Sequence, residues 1–67
     1  MIIKKKGKQY FRGKLRYEGE FVDGFRNGKG KLYSNGQLKY EGEFLGAPHG
    51  KGKLYENGKL KYESEFL

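Results

Sequence analysis

Hydrophobic and polar positions alternate along most of this chain with a period of two residues. The segment from Leu38 to Phe44 shows the pattern well, because Leu38, Tyr40, Gly42 and Phe44 occupy alternate positions and charged residues occupy the positions between them. Successive side chains of a β-strand point to opposite faces of the sheet, so this alternation predicts strands with one apolar and one charged face. No segment has the helical period of 3.6 residues, and we predict an all-β fold.

One seven-residue motif occurs three times, as LRYEGEF at 15–21, LKYEGEF at 38–44 and LKYESEF at 60–66. Successive copies are offset by 23 and 22 residues. A second phrase, GKGKLY, occurs at 28–33 and again at 50–55. Self-similarity at a fixed period of this length indicates a repeat architecture, in which each unit packs mainly on its neighbours. We therefore predict a single domain over residues 1–67. It is built from three units, at about 5–27, 28–49 and 50–67.

Turn residues lie between the alternating segments. Asn-Gly pairs occur at 35–36 and 57–58, and Arg12-Gly13 occupies the matching place in the first unit. Asn-Gly favours the two-residue hairpin turn with positive φ at both positions. Loops rich in Gly, Pro or Asn are predicted for the other two connections, at 22–27 and 45–49. The pattern predicts an antiparallel meander, an elongated and twisted single sheet with strands near 8–11, 14–21, 30–33, 37–44, 52–55 and 59–66.

The register of each hairpin has two readings. A two-residue Asn-Gly loop places Tyr33 opposite Leu38 on the aromatic face and sends Leu32 to the charged face. A three-residue loop that includes Ser34 exchanges Leu32 and Tyr33. We favour the two-residue loop because Asn-Gly is the stronger turn signal. In either register one apolar residue per unit lies on the face opposite the aromatic side chains.

The net charge of +7 comes from the first quarter of the chain. Residues 17–67 hold eight basic and eight acidic residues, whereas residues 1–16 hold no acidic residue. Such asymmetry is typical of contacts with a membrane or a nucleic acid, or of an edge strand or solvated tail protected by lysines. The candidate binding residues in this segment are Lys4, Lys5, Lys6, Lys8, Arg12, Lys14 and Arg16.

The composition limits how much the chain can stabilise itself. Only 34% of its 67 residues are hydrophobic, and 11 of them are Tyr or Phe, so aromatic rings must supply most of the packing. The chain has no cysteine for a disulfide or a thiolate metal site. We expect a marginally stable monomer that gains from a protein partner or from self-association. No apolar run reaches the ~20 residues of a membrane span, and a cytoplasmic location is expected.

Candidate catalytic groups are few. His49 is the single histidine, and a metal site needs three or four ligands. The paired glutamates at 18 and 20, repeated at 41 and 43 and at 63 and 65, are expected on the solvent face in cross-strand ion pairs beside Arg16, Lys39 and Lys61. The Gly-Lys-Gly phrases precede strands and so lack the helix N-terminus that binds phosphate. We predict no enzyme activity, no catalytic residue, no metal site and no cofactor.

The motif residues of the repeats resemble those of the MORN-repeat family, with a pattern of Tyr-x-Gly-x-aromatic followed by a Gly-containing loop and Gly-x-Gly. The phrase Asn-Gly-x-Leu-Lys-Tyr-Glu is most similar to the MORN variant of small bacterial proteins. The chain departs from the family by having fewer than three full repeats, a Phe where Trp is frequent, and Ser64 in place of a motif glycine. The residues that carry the resemblance most directly are Tyr17, Gly19, Phe21, Tyr40, Gly42, Phe44, Tyr62 and Phe66.

The resemblance implies an elongated antiparallel sheet with one hairpin per repeat and a scaffold or interaction role. It also implies contact with membranes or phosphoinositides as a second role. We therefore expect a non-catalytic module that binds a protein partner or itself, with binding of an anionic membrane lipid through the basic N-terminal segment as the alternative. Nucleic acid is the least favoured partner: Tyr10 and Phe11 offer rings for stacking on bases, yet no recognised DNA- or RNA-binding motif occurs.

A physical reason for the motif glycine follows from the alternation. Gly42 lies on the aromatic face between Tyr40 and Phe44, where it leaves room for a ring to lie over the backbone. We expect the tyrosines to form a core by contact between rings on neighbouring strands.

Overall fold

The computed structural model describes the backbone of residues 3–66 and the side chains in that range except those of residues 64 and 66. The strands form one antiparallel sheet in chain order, an open slab that measures 39 × 30 × 14 Å. This confirms the predicted all-β meander of three hairpins. The six strands are β1 (Lys4–Phe11), β2 (Lys14–Val22), β3 (Phe25–Ser34), β4 (Gln37–Leu45), β5 (Ala47–Glu56) and β6 (Lys59–Phe66).

The even-numbered strands lie where they were predicted, within one residue at each end, but β1, β3 and β5 begin four to five residues earlier than predicted. The loops predicted at 22–27 and 45–49 are wrong. The first is a two-residue turn at Asp23-Gly24, and the second is the single residue Gly46. The polar and glycine residues that follow these turns continue into the strands, so His49 lies in β5 and not in a loop.

The hairpin turns confirm the favoured two-residue loop. Both central residues have positive φ in each hairpin, for example 52° at Asn35 and 78° at Gly36. This is the turn geometry that Asn-Gly adopts at low cost. Arg12 adopts the same conformation, with φ of 53°, in the first hairpin.

A bulge next to each turn changes the predicted faces of the flanking residues. Tyr33 pairs with Leu38, as predicted, but Leu32 pairs with Tyr40, which leaves Lys39 as an extra residue in β4. The extra residue shifts the alternation by one position. Leu32 therefore packs against the aromatic core, and its predicted place on the charged face is wrong.

The same bulge occurs in the first and third hairpins, with Arg16 and Lys61 as the extra residues. In the third hairpin the Tyr55 hydroxyl lies 3.5 Å from Glu41 Oε1, which places Tyr55 on the charged face. The predicted position of Tyr33 on the aromatic face is wrong for the same reason, because Tyr33 and Tyr55 hold equivalent places in their hairpins.

The core is a chain of aromatic rings on one face of the sheet. Tyr17, Tyr40 and Phe44 are 0%, 1% and 3% exposed, and Phe21 is partly buried against them. Tyr17 makes edge-to-face contacts with Phe21 at 5.1 Å and with Phe44 at 4.9 Å, and Tyr40 contacts Phe44 at 5.1 Å. These contacts join tyrosine to phenylalanine, so the core is a Tyr–Phe chain and not the predicted ladder of tyrosines. Between residues 3 and 66 the structure has no helix that could cross a membrane.

Candidate interaction surfaces

A row of glycines crosses the whole sheet at right angles to the strands. Each member lies directly opposite the next, in the order Gly7, Gly19, Gly30, Gly42 and Gly52, and the row reaches position 64 on β6. The missing Cβ atoms would lie on the aromatic face, because they would contact the rings there. A Cβ at Gly30 would come within 2.6 Å of ring carbons of Tyr17.

Tyrosine rings lie over two members of this glycine row, Gly30 and Gly52, and not over the predicted Gly42, which lies against the backbone of the next strand. The Tyr17 ring lies over Gly30, and the Tyr40 ring lies over Gly52, so each tyrosine joins its own strand to the first strand of the next hairpin. The Tyr17 hydroxyl donates a hydrogen bond to the Glu20 carbonyl at 2.8 Å. Burial raises the pKa of Tyr17, even though the Arg26 guanidinium, 4.8 Å above the ring, opposes the shift. Burial also raises the pKa of Tyr40.

Two glutamates accept backbone N–H groups where the pairing of β2 with β3 and of β4 with β5 is interrupted. The register shifts where β2 meets β3 and where β4 meets β5, and glycines with φ of 91° and 82°, Gly28 and Gly50, lie at the shifts. Glu20 Oε1 accepts a hydrogen bond from the Lys29 N–H at 2.7 Å, and Glu43 Oε1 accepts one from the Lys51 N–H at 2.8 Å. This backbone N–H is the main reason why the pKa of Glu20 is lowered.

The face opposite the aromatic core carries two charge ladders, which we define as rows of alternating Lys and Glu across the six strands. Lys8 Nζ lies 3.8 Å from Glu18, and Lys31 Nζ lies 4.0 Å from Glu41. The predicted cross-strand ion pairs are therefore present, but their cations are Lys8 and Lys31, not Arg16 or Lys39. One ladder is Lys8, Glu18, Lys31, Glu41, Lys53 and Glu63, and the other is Lys6, Glu20, Lys29, Glu43, Lys51 and Glu65.

The ladders form the two walls of a shallow trough. The glycine row is its floor, and the part lined by Gly19, Gly30 and Gly42 encloses about 650 Å³. The trough is open to solvent, and its described wall residues carry carboxylates and ammonium groups in alternation. Each ladder begins with a lysine on β1 and ends with a glutamate on β6.

The structure divides the seven basic residues predicted as a binding segment into separate groups. Lys6 and Lys8 belong to the charge ladders. Lys4 and Lys5 begin β1, and the other three surround the first hairpin turn at its far end. The eight residues of β1 span about 23 Å at ~3.3 Å per residue, so the segment is not one continuous patch.

The hairpin-tip cluster consists of Phe11, Arg12, Lys14 and Arg16. The guanidinium carbon of Arg12 lies 5.4 Å from the Phe11 ring centroid, and that of Arg16 lies 5.5 Å from it. Phe11 is more than half exposed. The sequence predicted the three basic residues but not their arrangement around an exposed aromatic ring.

A second exposed apolar group lies at the opposite end of the strands from the hairpin turns, and we call it the Phe25–Leu45 patch. Phe25 is 71% exposed and Leu45 is 62% exposed. Asn27 lies opposite Leu45 and two residues from Phe25, so alternation places Phe25 and Leu45 on the same face as near neighbours. This patch was not predicted from the sequence, because both residues lay in predicted loops.

The remaining predicted residues differ in how far the structure describes them. Tyr62 is 52% exposed, unlike its counterparts Tyr17 and Tyr40. The predicted motif role of Phe66 falls on a side chain outside the described ones. His49 is exposed, and among the described residues no three His, Cys, Asp or Glu side chains form a cluster able to hold a metal ion.

A family model described as the MORN repeat matches residues 17–38 and 40–60. The two matches together span more than half of the chain. The first covers most of β2 and all of β3, with Tyr17, and the second covers most of β4 and all of β5, with Tyr40. They do not distinguish the short bacterial variant from other repeats of this description. No curated protein and no solved structure matches the chain.

Proposed function

The chain belongs to the MORN-repeat family, and on that premise we propose that it is a non-catalytic interaction module that binds a protein partner. MORN repeats are commonly associated with protein or membrane interaction, and the repeat is itself a non-catalytic module. A cytoplasmic location remains a prediction from the sequence.

The observation that carries the proposal is the exposure of large apolar side chains on a sheet one layer thick. Only three side chains are buried among the described residues, whereas Phe25 and Leu45 are among the most exposed hydrophobic ones. Exposed aromatic and aliphatic groups beside a polar surface are typical of protein-binding sites. The Phe25–Leu45 patch next to the charge ladders has this composition, and we propose it as the centre of the protein-binding surface.

Photocrosslinking tests this surface in the full chain. A photoreactive residue at position 25 is expected to capture a defined protein in cells, and the same residue at position 11 is expected not to capture it. With the purified partner, Phe25→Glu/Leu45→Glu should weaken binding at least tenfold, because anchor side chains at an interface centre contribute about 2 kcal/mol or more each.

A matched control keeps the interpretation specific. Phe11→Glu/Leu60→Glu introduces the same substitutions at two other exposed positions and should leave the affinity unchanged. Equal binding by both double variants, or equal crosslinking from positions 11 and 25, would contradict the proposal.

A second candidate function is binding of an anionic membrane lipid, which the hairpin-tip cluster favours. A ring flanked by two guanidinium groups, with Lys14 beside them, offers an apolar insertion point and cations for headgroup phosphates. Each basic residue near an anionic membrane contributes about 1 kcal/mol.

Vesicle co-sedimentation separates this candidate from protein binding. Arg12→Glu/Lys14→Glu/Arg16→Glu should abolish binding to phosphoinositide-containing vesicles at low salt, while Lys4→Glu/Lys5→Glu/Lys6→Glu should reduce it less. Absence of binding by the unmodified chain rejects the candidate, and a larger loss from the Lys4–Lys6 variant would move the site to the start of β1.

A further inference from the structure

The two junctions between successive hairpins, β2 with β3 and β4 with β5, are built in the same way. In each, a tyrosine ring of the first strand covers a glycine of the second. Two glycines lie directly opposite each other, and a glutamate of the first strand accepts an N–H of the second next to a glycine with positive φ. A junction therefore needs Tyr, Gly and Glu from one strand and Gly-x-Gly from the next.

The outer strands β6 and β1 hold most of the two halves of such a junction. On β6, Tyr62 and Glu65 occupy the positions of Tyr17 and Glu20. On β1, Gly7 occupies the position of Gly30 and continues the glycine row. Because the sheet is open, β1 and β6 of one chain do not meet, and a strand from a second copy is the matching occupant.

Charge favours this pairing of two copies. In the register of the internal junctions, Glu63 of one copy lies opposite Lys8 of the next, and Glu65 lies at Lys6. Both charge ladders would then continue without interruption from one copy to the next, because each begins with lysine and ends with glutamate. Opposite charges placed directly across strands stabilise pairing, and like charges oppose it.

The residue type at position 64 opposes the junction, because the internal junctions have glycine there. Ser64 takes the position of Gly19 and Gly42 in the repeat. A Cβ at Gly19 would lie 2.6 Å from the Lys29 carbonyl oxygen, and a Cβ at Gly42 would lie 2.5 Å from the Lys51 carbonyl oxygen. These are backbone atoms of the incoming strand and cannot move aside as a side chain can.

Lys5, on β1, is the second residue that opposes the junction. It takes the position of Gly28 and Gly50, which have φ of 91° and 82°. Lys5 lies in the regular part of β1 and is not among the residues with positive φ. A residue with a side chain is strained in that conformation, and its Cβ would also displace the carboxylate that accepts the neighbouring N–H.

We propose that β6 and β1 are two halves of an interface for a second copy of this chain, and that Ser64 and Lys5 keep that interface closed. The unmodified chain does not extend its sheet end to end, and replacing both residues with glycine opens both ends. Such head-to-tail pairing does not close on itself, so the opened chain forms open-ended assemblies. This inference is independent of the proposed protein-binding surface, which lies at Phe25 and Leu45.

Sedimentation velocity with the full chain tests the proposal. At about 100 μM the unmodified chain is expected to be monomeric, and Lys5→Gly/Ser64→Gly is expected to form assemblies that grow with concentration. Lys5→Gly and Ser64→Gly alone each open one end. An equimolar mixture of the two single variants should therefore stop at a one-to-one dimer, with an affinity at least tenfold above that of either variant alone.

Two controls identify the surface. Lys4→Gly/Ser34→Gly makes the same change in composition away from the junction positions and should remain monomeric. Adding Glu63→Lys/Glu65→Lys to the opened chain reverses the ladder ends on β6 and should return it to a monomer. Circular dichroism and thermal unfolding establish that each variant is folded, and the mixture of single variants supplies the result if the double variant does not fold.

A folded Lys5→Gly/Ser64→Gly chain that stays monomeric, or single variants that do not form a dimer when mixed, would overturn the proposal. So would an unmodified chain that already assembles and loses that assembly with Glu63→Lys/Glu65→Lys.

Discussion

Tyr17 and Tyr40 carry the packing of this small protein at the scale of single residues. Each ring is buried because it lies over a glycine of the following strand, and each hydroxyl donates to a carbonyl on its own strand. The ring therefore contributes apolar burial and satisfies its polar atom in the same place. Replacing the glycine with a larger residue and removing the tyrosine hydroxyl should therefore lower the free energy of unfolding by different amounts. Separate variants can measure each contribution.

The glycine beneath a tyrosine ring is the first test. Gly52→Ala should lower the free energy of unfolding by about 2 kcal/mol, because the new Cβ overlaps the Tyr40 ring and forces the ring or the strand to move. Urea denaturation measures the change. Gly7→Ala is the control in the same row: its Cβ would lie 3.3 Å from the Phe21 ring, which is less crowded, so the loss should be below about 1 kcal/mol. Equal losses would contradict the packing argument.

The raised pKa values of Tyr17 and Tyr40 predict a loss of stability in alkali. The folded state keeps these protons at a pH where the unfolded tyrosines, with a pKa near 10.0, release them. The free energy of unfolding is therefore unaffected by these groups below pH 10.0 and falls as the pH rises through the raised pKa.

Urea titrations from neutral to alkaline pH measure this dependence. The free energy of unfolding of Tyr17→Phe/Tyr40→Phe should be about 2 kcal/mol lower than that of the unmodified chain at neutral pH, because two hydrogen bonds are lost. Its further decline in alkali should be shallower than that of the unmodified chain, because it lacks the two tyrosine hydroxyls whose pKa values are raised. A parallel decline would show that the two tyrosines do not cause the effect.

At the scale of elements, the unit of construction is a hairpin with a two-residue turn and a bulge beside it. The turn places both central residues at positive φ, and the bulge adds one residue to the second strand. Together they bring Leu32 against the aromatic core and leave the Tyr33–Leu38 pair on the opposite face. The three hairpins share this geometry, but the first begins its turn with Arg12 where the other two have Asn.

Arg12 is the poorest of these turn residues, and replacing it should stabilise the first hairpin. Arg12→Asn is expected to raise the free energy of unfolding by about 0.5 kcal/mol. Relief of left-handed strain is worth about 1 kcal/mol, and the lost contact with Phe11 offsets part of it. The reciprocal change, Asn57→Arg, should lower stability by about 1 kcal/mol. Chemical denaturation of both variants checks the sign, and a stabilising Asn57→Arg would contradict it.

At the scale of the whole molecule, stability is concentrated in the middle of the sheet. The buried rings lie on β2 and β4, while β1 and β6 each pair with a single neighbour. The sheet is one layer thick, so no second layer shields the outer strands. Opening from the edges should therefore cost less free energy than global unfolding.

Native-state hydrogen exchange measures this gradient along the sheet. Amides shared by β3 and β4 should exchange slowest, with opening free energies near that of global unfolding, and amides shared by β5 and β6 should exchange faster. The exposed Tyr62, in place of a buried tyrosine, is the physical reason for the difference on β6. Uniform protection across all six strands would contradict the gradient.

Much of the fold and part of the candidate surface could be predicted from the sequence. Period-two alternation, the repeated phrase and the Asn-Gly turns determined six antiparallel strands in chain order. A ring over the backbone was also predicted, but at Gly42, whereas the rings lie over Gly30 and Gly52 of the following strands. These features are local, since they depend on backbone preference and on the spacing of side chains along one strand. The Phe25–Leu45 patch was not predicted, because Phe25 follows and Leu45 precedes a glycine turn, and the sequence around each turn resembles a longer loop.

Only the tertiary structure determined the register of the strands and which side chains lie on each face of the sheet. The bulges at Arg16, Lys39 and Lys61 reversed the expected faces of Leu32 and Tyr33. Pairing of neighbouring strands aligned lysines and glutamates into two ladders. The sequence by itself determined which residues alternate, but not which strand each one would oppose. A shift of one residue in pairing exchanges the two faces of a strand, and that shift depends on contacts between strands far apart in the chain.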